Sequence, residues 1–387
     1  MRNIINYVEE ETRTFDELPF NEVDAAVFCQ VSYFELEKFV PSLEDNTHGI
    51  FFKVLNNEAR LDIITHDIFE PEKNKKLAKA LKKSKRYAPV EINKYKNVYS
   101  TSNNEQFCAM TFELGDTVVV TFRGTDMTIV GWHEDFEMMY TDEVPAQKSA
   151  CEYLELVASI TKGPIIVCGH SKGGNLAIYS SMKSSNKVKN RIVHIYDFDG
   201  PGFKDDIFET EEYLSIKKKV LRRICDKTII GMLMYYSKDY EVIKTSGVGI
   251  LRHLLFNWHI NQSATFRRAP KLDMYSIIIT NTVTNYLEMT SIDERKEFVD
   301  LLFFLLKENP DLNILSIRYH FPEFVKSMKR QYDILPEEKK VRFLYHGNKL
   351  RSATLLGIKK GLRDGSIATK KAMEARRLAF IEKFKNK

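Results

Sequence analysis

A serine flanked by glycines is the residue in this sequence best suited to covalent chemistry. Residues 169–173 read GHSKG, a match to the pattern G-x-S-x-G, and Gly174 follows directly. In a turn this tight the serine takes strained backbone angles, and residues two positions away must lack a Cβ to clear it. The hydroxyl of Ser171 could then act as a nucleophile, provided that a base and an acid stand nearby.

The stretches on either side of Ser171 predict a strand and a helix, which is the context that a nucleophile elbow requires. Ile165 to Cys168 is a short apolar run rich in β-branched residues, typical of a strand buried on both faces. Leu176 to Met182 has a helical pattern, and such a helix aims its first N–H groups at the serine. A glycine turn that merely packs helix against sheet would also explain the glycines, but not the serine.

The base should lie late in the chain, because this chemistry in an α/β fold uses the order serine, acid, histidine. Among the nine histidines, His253 follows the last predicted strand in a glycine-flanked loop and is the first choice. His259, just after Trp258, is the fallback. His170 lies inside the elbow and His194 within a predicted strand, so neither is expected to be the base.

The acid is open between aspartates that flank predicted strands. Asp199 and Asp226 each follow a strand and so belong to the carboxyl edge of the sheet, where the serine lies. Asp239 precedes its strand and is expected at the opposite edge. We predict Asp199 as the acid, with Asp226 as the alternative, although an aspartate before Gly200-Pro201 could also simply cap the turn.

Thr125 and Lys172 are the predicted oxyanion-hole residues. Thr125 follows a predicted hairpin at 105–124, and the backbone N–H of Lys172 directly follows the serine. One such donor contributes a factor of about 10²–10³ to the rate. The polar and aromatic residues around Thr125 are expected to be structural. They are Arg123, Asp126, Trp132, Glu134 and Asp135.

Strands that alternate with helices after residue 117 predict an α/β fold with a mostly parallel sheet flanked by helices. For 387 residues we expect about two domains, and we place a hydrolase-like domain at 1–265 and a helical extension at 266–387. Residues 1–20 are expected to be a polar lead-in. In the extension, residues 292–308 predict a helix that begins with a capping box between Ser291 and Glu294.

Composition limits the classes of protein. Apolar content of 43% and charge of 29% are ordinary for a globular protein. The five cysteines are odd in number and lack a C-x-x-C pair, so we expect reduced thiols that bind no metal. The sequence implies no metal and no organic cofactor. The acidic N-terminus has no apolar core, and the longest pure apolar run, Leu301 to Leu306, cannot span a bilayer. We therefore expect a cytoplasmic protein.

The net charge of +5 is unevenly distributed. Residues 349–387 contain 12 Lys/Arg and 3 Asp/Glu, a charge of +9, so the remainder carries 5 − 9 = −4. The tail at 369–385 predicts a basic amphipathic helix, either solvated on the body or in weak contact with an anionic membrane surface. The basic stretch at 77–86 has no interleaved aromatic residues, so no nucleic-acid partner is expected.

Several of these stretches together resemble a bacterial lipase-related α/β-hydrolase family of unknown function, often called Mbeg-like, which is near the class 3 lipases. The resemblance covers roughly residues 20–262. It implies the α/β-hydrolase fold and a lipid or other acyl substrate. Where the family often has Q-H-D, this chain has Arg252-His253-Leu254. The matching motifs are FRGTD (122–126), GW-x-EDF (131–136), GHSKGGNLA (169–177), DGPGF (199–203), IIGML (229–233) and the pair His253/Trp258.

The function predicted from these residues is a serine hydrolase of the lipase or esterase type. It would cleave a carboxylic ester or thioester of a small-molecule or lipid acyl substrate through an acyl-enzyme. The alternative of a different class is a catalytically silent α/β-hydrolase fold used for binding or regulation. An acyltransferase or peptidase with the same three residues has the same sequence signature.

Overall fold

The computed structural model describes residues 1–45, 47–54, 58–66, 68–126, 128–306 and 321–385, with the backbone alone at 54, 58 and 364–385. Its centre is a single eight-stranded sheet whose strands lie side by side in chain order. The strands are β1 (Ile50–Phe51), β2 (Glu91–Ser100), β3 (Glu105–Leu114), β4 (Thr117–Phe122), β5 (Ile165–His170), β6 (Ile192–Phe198), β7 (Val220–Cys225) and β8 (Glu241–Ile243).

The pairing within the sheet changes once, from antiparallel to parallel. The pairs β1–β2, β2–β3 and β3–β4 are antiparallel, and every pair from β4–β5 to β7–β8 is parallel. The parallel half places the ends of β4, β5 and β6 at one edge of the sheet. Helices flank this sheet, so the predicted α/β-hydrolase class is confirmed.

Helices account for most of the remaining structure. They are α1 (Ile4–Glu10), α2 (Glu22–Val31), α3 (Glu58–Thr65), α4 (Pro71–Lys83), α5 (Ile129–Glu137), α6 (Pro145–Ile160), α7 (Lys172–Lys183), α8 (Asn186–Arg191), α9 (Glu211–Leu214), α10 (Met274–Met289), α11 (Ile292–Leu306), α12 (Phe321–Ile334) and α13 (Glu337–Lys385). In the described part of the chain, none of these helices is both long enough and apolar enough to cross a membrane.

Two hydrophobic cores lie on opposite faces of the sheet. One core combines residues of α1, α2 and α4 with strand residues such as Phe112 and Ile166. The other combines residues of α6 and α7 with strand residues such as Val120 and Val167. Successive side chains of a strand point to opposite faces, so neighbours in β5 enter different cores. This double burial is why the strand before Ser171 reads as a continuous apolar run.

The structure corrects the prediction for the N-terminal segment, which is not a polar lead-in. Residues 4–10 form α1, whose side chains Ile4 and Val8 are buried. Asn3 caps the helix through its side chain. The apolar residues of α1 are few and acidic residues follow them directly, so the sequence pattern indicated a polar segment.

Strand β2 is an element that the sequence pattern did not predict. Its register with β3 shifts between Asn93 and Lys96, and Lys94 lies there with a positive φ of 54°. A bulge of this kind breaks the two-residue alternation by which a strand is recognised.

The C-terminal helices pack against one another and the sheet domain, with α10 against α13, and α11 against α12 and α5. Ser291 Oγ accepts the N–H of Glu294 at 3.2 Å, while the carboxylate of Glu294 accepts the N–H of Ser291 at 2.9 Å. This reciprocal pair is the predicted capping box of α11. The helix is described to Leu306, and its predicted end at 307–310 lies outside the described residues. The boundary at 265/266 between two domains remains a prediction.

A buried ion pair ties the N-terminal helices together. The guanidinium of Arg86 donates to both carboxylate oxygens of Asp24, at 2.8 and 2.6 Å. The hydroxyls of Tyr7 and Tyr87 also donate to Asp24, and both charged side chains are fully buried. The two charges compensate each other only as long as both partners are present.

We predict that Arg86→Met lowers the free energy of unfolding by about 3–5 kcal/mol, because the carboxylate of Asp24 is left buried without its cation. Urea unfolding followed by circular dichroism measures this loss. Lys85→Met at the exposed neighbouring position is the matched control and should change stability far less. Equal stabilities of the two variants would contradict the prediction.

Candidate active site

Ser171 lies at the junction of β5 and α7 in a strained conformation. Its backbone angles are φ 58° and ψ −133°, outside the regions that residues other than glycine normally occupy. The N–H of Ser171 donates to the carbonyl of Phe198 at 3.0 Å, which holds the turn against the end of β6. The predicted strand–turn–helix is therefore present, with the serine at its apex.

The glycines of the motif are required by close backbone approach. A Cβ on Gly169 would lie 2.0 Å from the carbonyl oxygen of Gly173, and one on Gly173 would lie 2.1 Å from that of Phe122. A Cβ on Gly174 would lie 2.1 Å from Oδ1 of Asp197. Any side chain at these positions would push α7 away from the ends of β4 and β6.

Lys172 contributes to the site through its backbone. It is the first residue of α7, so its N–H has no acceptor within the helix and points toward the turn. Its side chain is buried and leads away, with Nζ 2.7 Å from Oε2 of Glu134 and 2.8 Å from the carbonyl oxygen of Gln106. The ammonium group of Lys172 thus forms an ion pair with the carboxylate of Glu134.

Asp199 and His253 are in direct contact. Nδ1 of His253 lies 2.7 Å from Oδ2 of Asp199, and both side chains are buried. Because an ionised carboxylate only accepts hydrogen bonds, Nδ1 carries the proton and donates it. The two residues stand 54 positions apart in the sequence and are joined here at the end of β6.

Asp199 is held as a carboxylate by several donors. Its backbone has a positive φ of 55°, and its N–H donates to the carbonyl of Arg223 at 2.7 Å. The N–H and the thiol of Cys225 both donate to the carboxylate at 3.3 Å, and the side chain of Thr228 is a further donor. Burial alone raises the pKa of Asp199, but the hydrogen bond and charge of His253 outweigh it and leave the pKa below its usual value.

The alternative acids have other partners. Oδ1 of Asp226 accepts from Oγ1 of Thr245 at 2.6 Å and from Nη1 of Arg252 at 3.1 Å. Asp226 therefore anchors the residue before His253 and not the histidine ring. Asp239 pairs with Lys217 at 3.3 Å.

Thr125 is fixed by a carboxylate. Its hydroxyl donates to Oδ2 of Asp135 at 2.6 Å. Burial raises the pKa of Asp135 to about 6, against the opposing effects of the Lys172 charge and the Thr125 hydrogen bond. The expected structural role of Asp135 is consistent with this contact, since it sets the side-chain position of Thr125.

A cavity of about 350 Å³ opens beside these residues. Ser171, Lys172, His253 and Thr125 all line it, together with Asp126. Most of the remaining wall is apolar and comes from α5, the 230–234 loop, the 250–256 loop and α10. These apolar residues are Phe69, Trp132, Phe136, Met139, Ile230, Leu233, Met234, Ile250, Leu251, Leu254, Phe256 and Val283.

The second ring nitrogen of His253, Nε2, is not used in the contact with Asp199. Nε2 is buried, and it has no hydrogen-bond partner among the residues that the structure describes. Ser171 and His253 thus share the cavity wall without a hydrogen bond between them. In proteins without bound substrate, such contacts are often long and shorten only in the complex.

The other candidate histidines lie elsewhere. His259 is buried beside β8, where its N–H donates to the carbonyl of Lys244 at 3.0 Å. His194 is exposed on β6. Neither is part of the cavity wall.

A brace of Tyr33 and His170 supports the histidine loop, and sequence reasoning missed it. Nε2 of His170 lies 2.8 Å from the carbonyl oxygen of His253, and the centroids of the two rings are 4.3 Å apart with their planes tilted by 32°. A carbonyl only accepts, so this nitrogen carries the proton, and Nδ1 accepts from the Tyr33 hydroxyl at 3.0 Å. Burial, followed by the nearby His253, lowers the pKa of His170 to about 3, so it stays neutral.

The brace also reaches the Thr125 loop. The backbone N–H of Gly124 donates to the Tyr33 hydroxyl. Tyr33 follows α2, more than 130 residues before the elbow, so only its position in the fold could reveal this contact. The histidine of the GHSKG motif was the available signal.

The described residues contain no cluster of three or more histidine, cysteine or acidic side chains that could hold a metal ion. The groups that the site presents are a serine hydroxyl, an imidazole that contacts a carboxylate, and backbone N–H groups. Fold and site together define a protein of the α/β-hydrolase fold.

Comparison with known proteins assigns the chain to a family. The family model described as Mbeg1-like matches residues 81–304, more than half of the chain, and the protein belongs to that family. The matched segment begins before β2 and ends within α11. Among curated proteins, none matches the chain.

One solved structure is similar to part of the chain. It is titled a crystal structure of M37 lipase, and it shares 15% sequence identity with a TM-score of 0.36. The similarity covers 55% of this chain and 70% of the other.

We predict that Asp199 supports folding in a pH-dependent way. Its pKa in the folded protein lies below the value of about 3.9 for an unfolded chain, so its stabilising effect is present above that pH and is lost as the pH falls through the folded value. The difference in unfolding free energy between wild type and Asp199→Asn should therefore shrink below about pH 4. Urea unfolding at several pH values measures the difference, and a gap that stays constant would contradict the prediction.

Proposed function

We propose that this protein is a serine hydrolase that cleaves a carboxylic ester or thioester through an acyl-enzyme. Ser171 would be the nucleophile, His253 the general base and Asp199 the acid that orients it. The contact between Nδ1 of His253 and Oδ2 of Asp199 at 2.7 Å is the observation that carries the proposal. It leaves the buried Nε2 as the only free nitrogen of the ring, beside a cavity that also contains the strained serine.

In the first half-reaction Oγ of Ser171 attacks the carbonyl carbon of the substrate, and its proton passes to Nε2 of His253. The carboxylate of Asp199 stabilises the imidazolium that forms. His253 then gives the proton to the leaving oxygen or sulfur, and the bond to the leaving group breaks. In the second half-reaction water attacks the acyl-serine, and the same proton relay releases a carboxylic acid and restores Ser171.

The tetrahedral intermediate needs donors for its oxyanion. The backbone N–H of Lys172 and that of Thr125 fit this role, because one begins α7 and the other lies on the loop after β4. The Lys172 ammonium does not serve here, since it pairs with Glu134. Stabilisation would then come from oriented backbone dipoles, supported by the positive end of α7.

The cavity favours an apolar acyl group. Its wall is dominated by aliphatic and aromatic side chains, and its carboxylates, Glu70, Asp126 and Asp135, repel an anionic substrate. The only lysine in the wall is already neutralised by its buried partner. An uncharged ester with an aliphatic chain is therefore the substrate that the site suits best. A cytoplasmic location remains a prediction from the sequence, and so does the alternative of a catalytically silent fold used for binding or regulation.

We predict that wild-type protein reacts with an alkyl fluorophosphonate, which labels activated serines. Ser171→Ala should abolish labelling, because the nucleophile is lost. His253→Ala and Asp199→Asn should slow it by about 10²-fold or more, because proton transfer is lost or misdirected. Rates of labelling, followed by in-gel fluorescence on folded protein, measure the effect.

Asp226→Asn is the matched control for Asp199→Asn. Asp226 binds Arg252 and Thr245, so its variant should label at nearly the wild-type rate. Equal loss in both aspartate variants would contradict the assignment of Asp199. A folded wild type that does not label, yet binds a fluorescent fatty ester, would instead favour the binding-module function.

We predict that Thr125→Val lowers kcat/KM by less than the factor of about 10²–10³ that a lost oxyanion donor costs. The hydroxyl of Thr125 donates its hydrogen bond to Asp135. The proposed donor to the oxyanion is the backbone N–H, which valine retains. Hydrolysis of a p-nitrophenyl ester measures the change. A loss as large as that range would mean that the hydroxyl itself binds the oxyanion.

A further inference from the structure

The long helix α13 exposes two groups of large apolar side chains along one face. We call these residues the α13 stripe. Each side chain is more than a third exposed, and those of Val341 and Leu355 are more than 60% exposed. Spacings of three and four residues join positions 341 and 344, and positions 355, 358 and 362; the eleven residues from 344 to 355 are about three turns, so both groups lie on one face of the helix. The α13 stripe consists of Val341, Leu344, Leu355, Ile358 and Leu362.

A different face of the helix is already occupied by the protein. His346 and Ala353 are fully buried. A Cβ on Gly357 would lie 2.5 Å from Oγ1 of Thr282, and one on Gly361 would lie 2.7 Å from the side chain of Ile278. Both glycines thus let α13 lie close against α10, and the α13 stripe is not the side that packs on the body.

The charge of this segment favours one kind of partner. Residues 339–363 contain eight lysines and arginines and no aspartate or glutamate. Two of the cations have carboxylate partners, Lys340 with Glu337 and Arg342 with Glu297. Beyond these, Arg351, Lys359, Lys360 and Arg363 are exposed beside the apolar residues.

A second copy of the chain would bring the same positive segment to the contact, and like charges would oppose the association. An anionic lipid surface supplies the opposite charge and accepts apolar side chains at the same depth. A helix that exposes apolar side chains flanked by lysines and arginines binds in the plane of the interface between lipid and water.

We propose that the α13 stripe docks the protein onto anionic membrane surfaces. The helix α10, which packs against α13, contributes Val283 to the wall of the cavity beside Ser171. Docking would therefore leave α13 alone between the lipid and α10, the helix that forms part of the cavity wall. The backbone of α13 continues as a helix to Lys385, so the basic tail at 369–385 extends from the same element. The proposal does not depend on hydrolysis.

Flotation of the full-length protein with vesicles tests this docking. Wild type should float with phosphatidylcholine vesicles that contain phosphatidylglycerol, weakly with pure phosphatidylcholine, and less as salt rises. Leu355→Ser combined with Leu362→Ser should lower the partition coefficient at least about tenfold, since two exposed leucines no longer enter the lipid. Lys359→Gln combined with Lys360→Gln should weaken binding to the anionic vesicles alone.

Leu156→Ser combined with Leu214→Ser is the matched control, because these two leucines are exposed on the sheet domain. That variant should float like the wild type. The proposal is overturned if the wild type does not bind anionic vesicles, or if the stripe variant binds as well as the control. It is also overturned if light scattering finds a dimer that the stripe variant converts to monomer, which would make a second copy the occupant.

Discussion

The close approach of α7 to the sheet is the constraint on which the arrangement of the site depends. Gly173 lies so near the carbonyl of Phe122 that no side chain fits between them, and Gly174 lies equally near Asp197. The first turn of α7 is therefore wedged between the ends of β4 and β6. This wedge holds Ser171 in its strained conformation and brings the loops that carry Thr125 and Asp199 to the same edge of the sheet.

Buried charges fix the surroundings of this edge without adding net charge to it. Arg222 binds Asp197 at 2.8 Å and also donates to the carbonyls of Gly200 and Gly231. It thus joins the two turns that enclose Asp199, and Gly231 has room for no Cβ beside that carboxylate. Lys172 and Glu134 neutralise each other on the other side. Buried pairs of this kind need not raise stability, but breaking one leaves a charge uncompensated, so they hold the loops in a single arrangement.

The C-terminal helices connect the cavity with the outer surface. Val283 of α10 reaches the cavity wall, while Gly357 and Gly361 bring α13 against the outer side of α10. Two helical layers therefore lie between the cavity and solvent in this direction: α10, which forms part of the apolar wall, and α13. The outermost layer is basic and exposes apolar side chains, whereas the cavity wall contains carboxylates. The outer side of α13 and the cavity wall thus differ in the charge of their polar side chains.

The sequence alone predicted much of the frame, because those features are local. The apolar run before Ser171, the glycines around it and the alternating strands and helices follow from side-chain size and periodicity within a few residues. Family motifs identified the same segments, and the family model matches residues 81–304. The sequence also reduced the candidate residues to one serine, two histidines and three aspartates.

Only the tertiary structure decided which of these meet. Asp199 and Asp226 both follow strands at the same edge, and chain order does not distinguish them. The positive φ of Asp199 turns its carboxylate to His253, whereas Asp226 is drawn to Arg252. The contact of Tyr33 with His170 joins segments 137 residues apart, and no local pattern encodes it. Contacts of this kind depend on where loops end in space, and that follows from the packing of the whole sheet.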